Sequence, residues 1–213
     1  MVYWGGISGS DVTHLGLFDI PLISNIPNMV YLAPTTKEEH LAMVDWAIEQ
    51  DKHPVAIRVP NMEVVSTGVA VEANFDELNK YVMVEEGKDV AIIGLGSFFH
   101  LGKKVQERLR NTGINATLIN PRFITGVDED LLNELKENHK VVITLEDGIL
   151  DGGFGEKISR FYGNSQMRVL NFGATKEFTD SVELDVLYER YHLTEELIVE
   201  DIEKVLADIK VFA

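Results

Sequence analysis

A chain of 213 residues, 45% hydrophobic and 25% charged, can bury a sizeable core in one large domain or two small ones. With 19 basic against 35 acidic residues its net charge is −16, which repels phosphate polyanions and argues against nucleic-acid binding. It has no cysteine, which excludes disulfides, thiolate metal sites and cysteine nucleophiles; no apolar run approaches the ~20 residues that cross a bilayer, so no membrane partner is expected, and without a secretory signal the expected location is the cytoplasm.

The chain opens on the apolar MVYW at 1–4 and enters a Gly/Ser-rich loop, SGSDVTHLGLFDIP at 8–21. MVYLAP at 29–34 is a short apolar strand stopped by Pro34. TKEEHLAMVDWAIEQ at 36–50 reads as a helix capped by Thr35 or Thr36, with Glu38 and Glu39 placed to complement the helix dipole. PVAIRVP at 54–60 reads as a buried strand between two prolines. Strand, helix, strand builds parallel sheet, and residues 1–60, with three strands and one obvious helix, look like the tail end of an α/β domain. Residues 61–87 carry short β-like pieces and much charge, as a linker or an edge hairpin does.

From residue 88 the alternation is regular. Strands are expected at 89–96, 115–120, 140–147 and 166–173, with helices at 100–113, 128–139 and 152–163 between them. Helices at 183–192 and 194–210 follow, the second capped by Thr194. Four strands joined by right-handed crossovers make a small doubly wound α/β domain.

Two glycine-rich turns invite phosphate readings. GLGSFFHLG at 94–102 follows a strand and opens a helix, but its third glycine comes six residues after Gly96 and the next strand ends in Asn120 and Pro121 rather than an acid. It reads as a tight turn whose two phenylalanines pack the helix on the sheet. LEDGILDGGFG at 145–155 ends a strand in two acids before a glycine-rich helix start. Such a start can cradle phosphate, yet Asp147 and Asp151 flank it, and close packing or a subunit contact is the preferred alternative.

Arg122, after a strand, reads as a salt-bridged loop residue, with Asp128 capping the next helix. Arg58 lies inside an apolar strand, where arginine is seldom buried without a partner. A structural ion pair and an anion site beyond the strand's carboxyl end are both open to it. Of the six histidines, His40, His53, His100, His139 and His192 lack partners at metal-ligand spacing and read as surface or capping residues. His14 alone sits in a small-residue loop after an apolar run, with Asp11 three residues upstream, as either a proton-transfer group or a polar turn residue.

SDVTHLGLFDIPLISNIPNMVYLAP, HPVAIRVP, DVAIIGLGS, INPRFITGVDEDLL, VVITLEDGILDGGFG and LNFGATKEF, in that order, resemble the last two-fifths or so of the transketolase family over about residues 5–205. Within it they are most similar to the 1-deoxy-D-xylulose-5-phosphate synthase branch. The resemblance implies residues 1–60 as the end of a pyrimidine-binding α/β domain, 61–87 as a linker, and 88–213 as a small mixed or parallel-sheet C-terminal α/β domain. It implies that His14 lies over the thiazolium and assists proton transfer, that Arg58 holds the acceptor's phosphate, and that Asp11 belongs to the substrate-binding loop. The implied reaction decarboxylates pyruvate and transfers the two-carbon unit to glyceraldehyde 3-phosphate, with thiamine diphosphate and Mg2+ as cofactors of the complete enzyme.

The sequence departs from the family pattern in places. Asp11 stands one position closer to Thr13-His14 than the family's acid, the arginine that the branch carries upstream falls near Tyr3 or Trp4, and RVPNM replaces RYPRG. The family's activating glutamate and metal-binding motif lie upstream of the matching region, so the chain alone is expected to hold no cofactor and to be inactive. Its expected partners are a second copy or the missing N-terminal domains. The alternatives are a part resembling the β subunit of a 2-oxo acid dehydrogenase, and a non-catalytic dimerisation or regulatory module.

Overall fold

The computed structural model describes residues 1–60, 64–71 and 74–212, with only the backbone of Tyr3 and of 210–212. Two sheets organise it. In the first, β1 (Val2–Gly5), β2 (Val30–Leu32) and β3 (Val55–Pro60) pair in parallel in the order β1-β3-β2. A short helix α1 (Asp19–Ile23) and α2 (Lys37–Glu49) link the strands, and Thr36 caps α2 by accepting from Glu39 N–H at 3.1 Å. Met43 and Trp46 of α2 pack on Leu32 and Ile57, while Ile20 and Ile23 of α1 meet Tyr31 and Ala56 on the opposite side.

The second sheet holds β4 (Val82–Glu85), β5 (Asp89–Gly94), β6 (Thr117–Asn120), β7 (His139–Ile149) and β8 (Arg168–Ala174) in the order β4-β6-β5-β7-β8. Successive residues of β5 point to opposite faces, and Val90 to Ile93 are all apolar and buried, the pattern of a strand covered on both sides. Val90 and Ile92 pack against α3 (Phe98–Asn111), α6 (Leu184–Arg190) and α7 (Glu195–Phe212). Ala91 and Ile93 pack against α4 (Glu129–Asn138) and α5 (Phe154–Tyr162). The result is an α/β protein with one parallel and one mixed sheet.

The second sheet has five strands where four were expected. The additional one, β4, lies inside the connecting segment and runs antiparallel to β6 through an irregular register. Its burial is slight, so periodicity along its four residues carries little signal. Phe75 and Tyr81 of the same segment are buried, Phe75 edge-on to both Trp46 and Phe123. The two sheets also meet directly. Ala33 N–H donates to Arg122 C=O and Ile124 N–H to Tyr31 C=O, which covers the outer edge of β2. The outer edge of β1 has no such cover among the described residues.

Candidate functional site

His14 ends a single helical turn, Val12–His14, in the loop that leaves β1. Asp11 caps that turn, accepting from Thr13 N–H at 2.8 Å and from the Thr13 hydroxyl. The His14 imidazole Nδ1 lies 2.9 Å from Thr13 Oγ1 and 3.2 Å from Asp11 Oδ1. The ring is 74% exposed, so Nε2 faces solvent. Hydrogen bonds from the Thr13 hydroxyl, then from His14, hold the Asp11 pKa down at about 2. A carboxylate accepting from Nδ1–H leaves Nε2 as the basic atom, the form in which an imidazole takes a proton.

Arg58 does not join His14 and Asp11. Its guanidinium is 5% exposed and pairs with the buried Asp19, Nε donating to Oδ2 at 2.7 Å and Nη2 to Oδ1 at 3.3 Å. Nη2 also donates to the carbonyls of Asp147, at 2.6 Å, and Gly16, at 3.4 Å. Burial alone would lower its pKa, but the Asp19 and Asp147 carboxylates raise it above the ordinary value. This geometry includes the structural ion pair, one of the two readings of Arg58, with Nε and Nη2 engaged inside the protein. Its contact with Gly16 supports the loop two residues beyond His14. Gly5 is required beside it, since a Cβ there would lie 2.5 Å from Arg58 Nε. Asn61 and Met62 of RVPNM lie outside the described residues.

The acids of LEDG are both buried. Glu146 accepts from Phe154 N–H at 2.7 Å and Gly155 N–H at 2.8 Å, which fills the N-terminus of α5. This is the close packing preferred for GGFG: the amides that would cradle a phosphate already hold a carboxylate. The glycines serve close approach, because a Cβ on Gly153 would sit 2.5 Å from Glu146 Oε2 and one on Gly155 2.5 Å from Thr144 Oγ1. Burial outweighs the two amide bonds and pushes the Glu146 pKa up to about 7. The other glycine turn is tight as expected, with Gly96 at φ 55° and Phe98 buried.

A third polar cluster joins the sheets. Glu39, 2% exposed, accepts from Thr35 N–H and Oγ1 at 2.8 Å, from Asn120 Nδ2 at 3.0 Å and from Arg122 Nε at 3.1 Å. Arg122 is therefore the salt-bridged residue expected. His139 is a capping residue as expected, at the C-terminus of α4 and bonded to Leu135 C=O and the Thr117 hydroxyl; His100 is half-buried rather than on the surface, bonded to Thr35 C=O. Among the described residues, no group of three or more histidines and acids is placed to hold a metal ion. With α5 also capped internally, these residues do not fit a metal–diphosphate group.

Residues 79–198 match the C-terminal domain of transketolase. The chain belongs to the transketolase family. Among relatives, the 1-deoxy-D-xylulose-5-phosphate synthase of Clostridium tetani is 34% identical over 94% of this chain and 32% of its own length. The synthase of Clostridium acetobutylicum is 35% identical over 88% of this chain and 31% of its own, and that of Lysinibacillus sphaericus 32% identical over 90% and 31%. The chain thus spans about a third of the length of these curated relatives. A solved structure described as a split gene transketolase, inactive beta4 tetramer, superposes with a TM-score of 0.79 over 97% of this chain and 65% of that one, at 25% identity.

In this transketolase-family chain the matched region holds β4 to α6 and the buried Glu146, while the His14 loop precedes it. Two of the most buried acids, Asp19 and Glu146, escaped the reading of the sequence. The signal for Glu146 was present: an acid inside an apolar strand, the same anomaly that singled out Arg58. Asp19 opens the short helix α1, where an acid is ordinary, and nothing local marks it as the partner of a residue 39 positions away.

Proposed function

We propose that this chain is the C-terminal part of a thiamine diphosphate-dependent transferase of the 1-deoxy-D-xylulose-5-phosphate synthase type, acting in the cytoplasm within a larger assembly. Residues 1–60 are the end of its pyrimidine-binding domain, 61–87 the connection and 88–213 the C-terminal domain. The observation that supports this most is the identity of 34% to a synthase along 94% of the chain, a region that includes an exposed, braced imidazole in the THLGLFD loop. The substrates are pyruvate and glyceraldehyde 3-phosphate, joined with loss of carbon dioxide.

The thiamine diphosphate and Mg2+ are held by polypeptide outside this chain. This chain contributes a proton-transfer group, His14 Nε2, with Nδ1 directed by Asp11 and Thr13. Arg58 and Asp19 carry the base of the loop. Assembly with a second copy or with the remaining domains completes the site; the likeness to a split gene transketolase described as an inactive beta4 tetramer favours a subunit that is idle alone.

Co-expression with a polypeptide carrying the preceding synthase domains should yield pyruvate-dependent carbon dioxide release. Within that assembly His14→Ala should lower turnover by about 10²–10⁴, the usual effect of losing a positioned acid–base group. Normal turnover by the variant overturns the role of His14. Calorimetric titration of this chain alone with thiamine diphosphate and Mg2+ should show no binding, and saturable binding would remove the claim that the cofactor is held elsewhere.

A further inference from the structure

A cleft of about 370 Å3, within the size range of small-molecule sites, opens at the carboxyl ends of β5 and β7. The chain leaves β5 toward β6 but leaves β7 toward β8, so the two connections diverge and leave a crevice between them. Ligands of open α/β sheets bind at such a switch point. His14 does not line this cleft.

Its walls are apolar: Phe98 and Leu101 of α3 face Tyr188 of α6 and Leu193 before α7. The Phe98 and Tyr188 rings meet edge to face at 6.1 Å and 78°. Its floor is Asp147, 6% exposed. Oδ1 of that carboxylate accepts from Ile7 N–H at 2.7 Å and Oδ2 makes a long contact, 3.4 Å, with the Ser97 hydroxyl; the nearby Arg58 cation is shared with Asp19, so the two carboxylates outnumber it. Burial raises the Asp147 pKa, and Arg58 and the bonds from Ile7 and Ser97 offset only part of that rise. At the mouth stand Lys104, Glu195 and Glu196, the last paired with Arg108 at 2.8 Å. The lining thus carries more negative than positive charge, in a protein whose net charge of −16 repels anions.

We propose that this cleft binds a small organic ammonium compound with an aromatic or branched apolar body. The ammonium donates to Asp147 Oδ2 and to Ser97 Oγ, and the body lies among Phe98, Leu101 and Tyr188, whose ring faces also favour a cation. The inference does not depend on the proposed reaction.

Two probes of matched shape and opposite charge test it: 2-phenylethylammonium and 3-phenylpropionate, titrated into the chain and followed by amide chemical shifts. The ammonium should give saturable shifts around Ser97, Leu101 and Leu193 with a Kd of about 1 mM or tighter, and the carboxylate should bind about tenfold or more weakly. Leu101→Trp fills the cleft without altering its charge and should weaken the ammonium about tenfold while the Tm is kept. Asp147→Asn should weaken it too, but that carboxylate also holds Ile7, so if either variant unfolds the comparison of probes on the unaltered chain decides. Equal binding of the two probes, no saturation of the ammonium by about 10 mM, or binding indifferent to Leu101→Trp overturns the proposal.

Discussion

Along β5 and β7, Val90 to Ile93 and Val141 to Leu145 are all buried, whereas Val2 and Trp4 on β1 are 53% and 72% exposed. Both sheets are built largely from parallel strands, which elsewhere occur almost only with both faces covered. The second sheet finds that cover within the chain, from α3, α6 and α7 on one face and α4 and α5 on the other. The first has one open edge, and its exposed apolar residues lie there. The difference teaches where each region's order comes from: apolar packing in the second, and in the first a few buried polar contacts that fix a loop over a small core.

The largest effect should come from breaking the most buried of those contacts. Arg58→Ala leaves Asp19 without its cation, and an uncompensated buried charge costs about 3–5 kcal/mol. Urea unfolding measures the loss. Both tryptophans, Trp4 and Trp46, belong to the first sheet and its helices, so their fluorescence reports that region, while amide exchange along β5 and β7 reports the other. The expected outcome is early loss of the fluorescence signal with protection of β5 and β7 retained. Simultaneous loss of both would break the comparison, since it would make the second sheet dependent on the first.

The second region should respond to pH instead. A carboxyl whose folded pKa is raised binds its proton more tightly when folded, so stability is greatest below its unfolded pKa and falls as pH rises to the folded one. For Glu146, with an ordinary value of 4.5 and a folded value of about 7, the window runs between those two and the loss is about 3 kcal/mol across it. Asp147, raised by burial as well, adds in the same direction. Glu146→Gln keeps an acceptor for an α5 amide and removes the charge, so urea midpoints measured between pH 4.5 and 7 should fall less steeply than in the unaltered chain. An unchanged slope would show that Glu146 does not titrate in that range.

Legibility in the sequence follows the same division. The second sheet was readable because short apolar stretches, the longest Val90 to Ile93 of β5, alternate with amphipathic helices, with caps at Asp128 and Thr194 where expected. β4 was visible only as one of the short β-like pieces of 61–87, because a four-residue, half-exposed edge strand is too short to show a period. At the site, His14 and Asp11 were legible because both lie in one short loop and their pairing is local. Arg58 was visible as an anomaly, but its partner was not, because a contact between a strand and a distant loop leaves no periodic trace. At the GGFG turn close packing was the preferred reading, but the partner of its amides was not visible, since a glycine-rich helix start looks the same whether it meets a phosphate or a glutamate from the preceding strand.

The smallest effect on stability should come from Asp11, and it bears most directly on the site. Asp11 is 54% exposed, and its bonds to Thr13 and His14 stay within one turn, so Asp11→Asn should leave the urea midpoint nearly unchanged. What it should change is which ring nitrogen carries the proton. In the unaltered chain the Asp11 carboxylate accepts from Nδ1–H and leaves Nε2 basic; an asparagine amide at that position can donate to Nδ1 and so favours the Nε2–H form. Long-range proton–nitrogen correlation of the His14 ring at high pH distinguishes the two tautomers directly, without cofactor, partner or turnover. Nδ1–H in the unaltered chain and a shift toward Nε2–H in the variant would establish Asp11 as the group that positions His14. The same tautomer in both would mean that Thr13, at 2.9 Å, sets the ring by itself, and would return Asp11 to the substrate-binding role that the family resemblance implies.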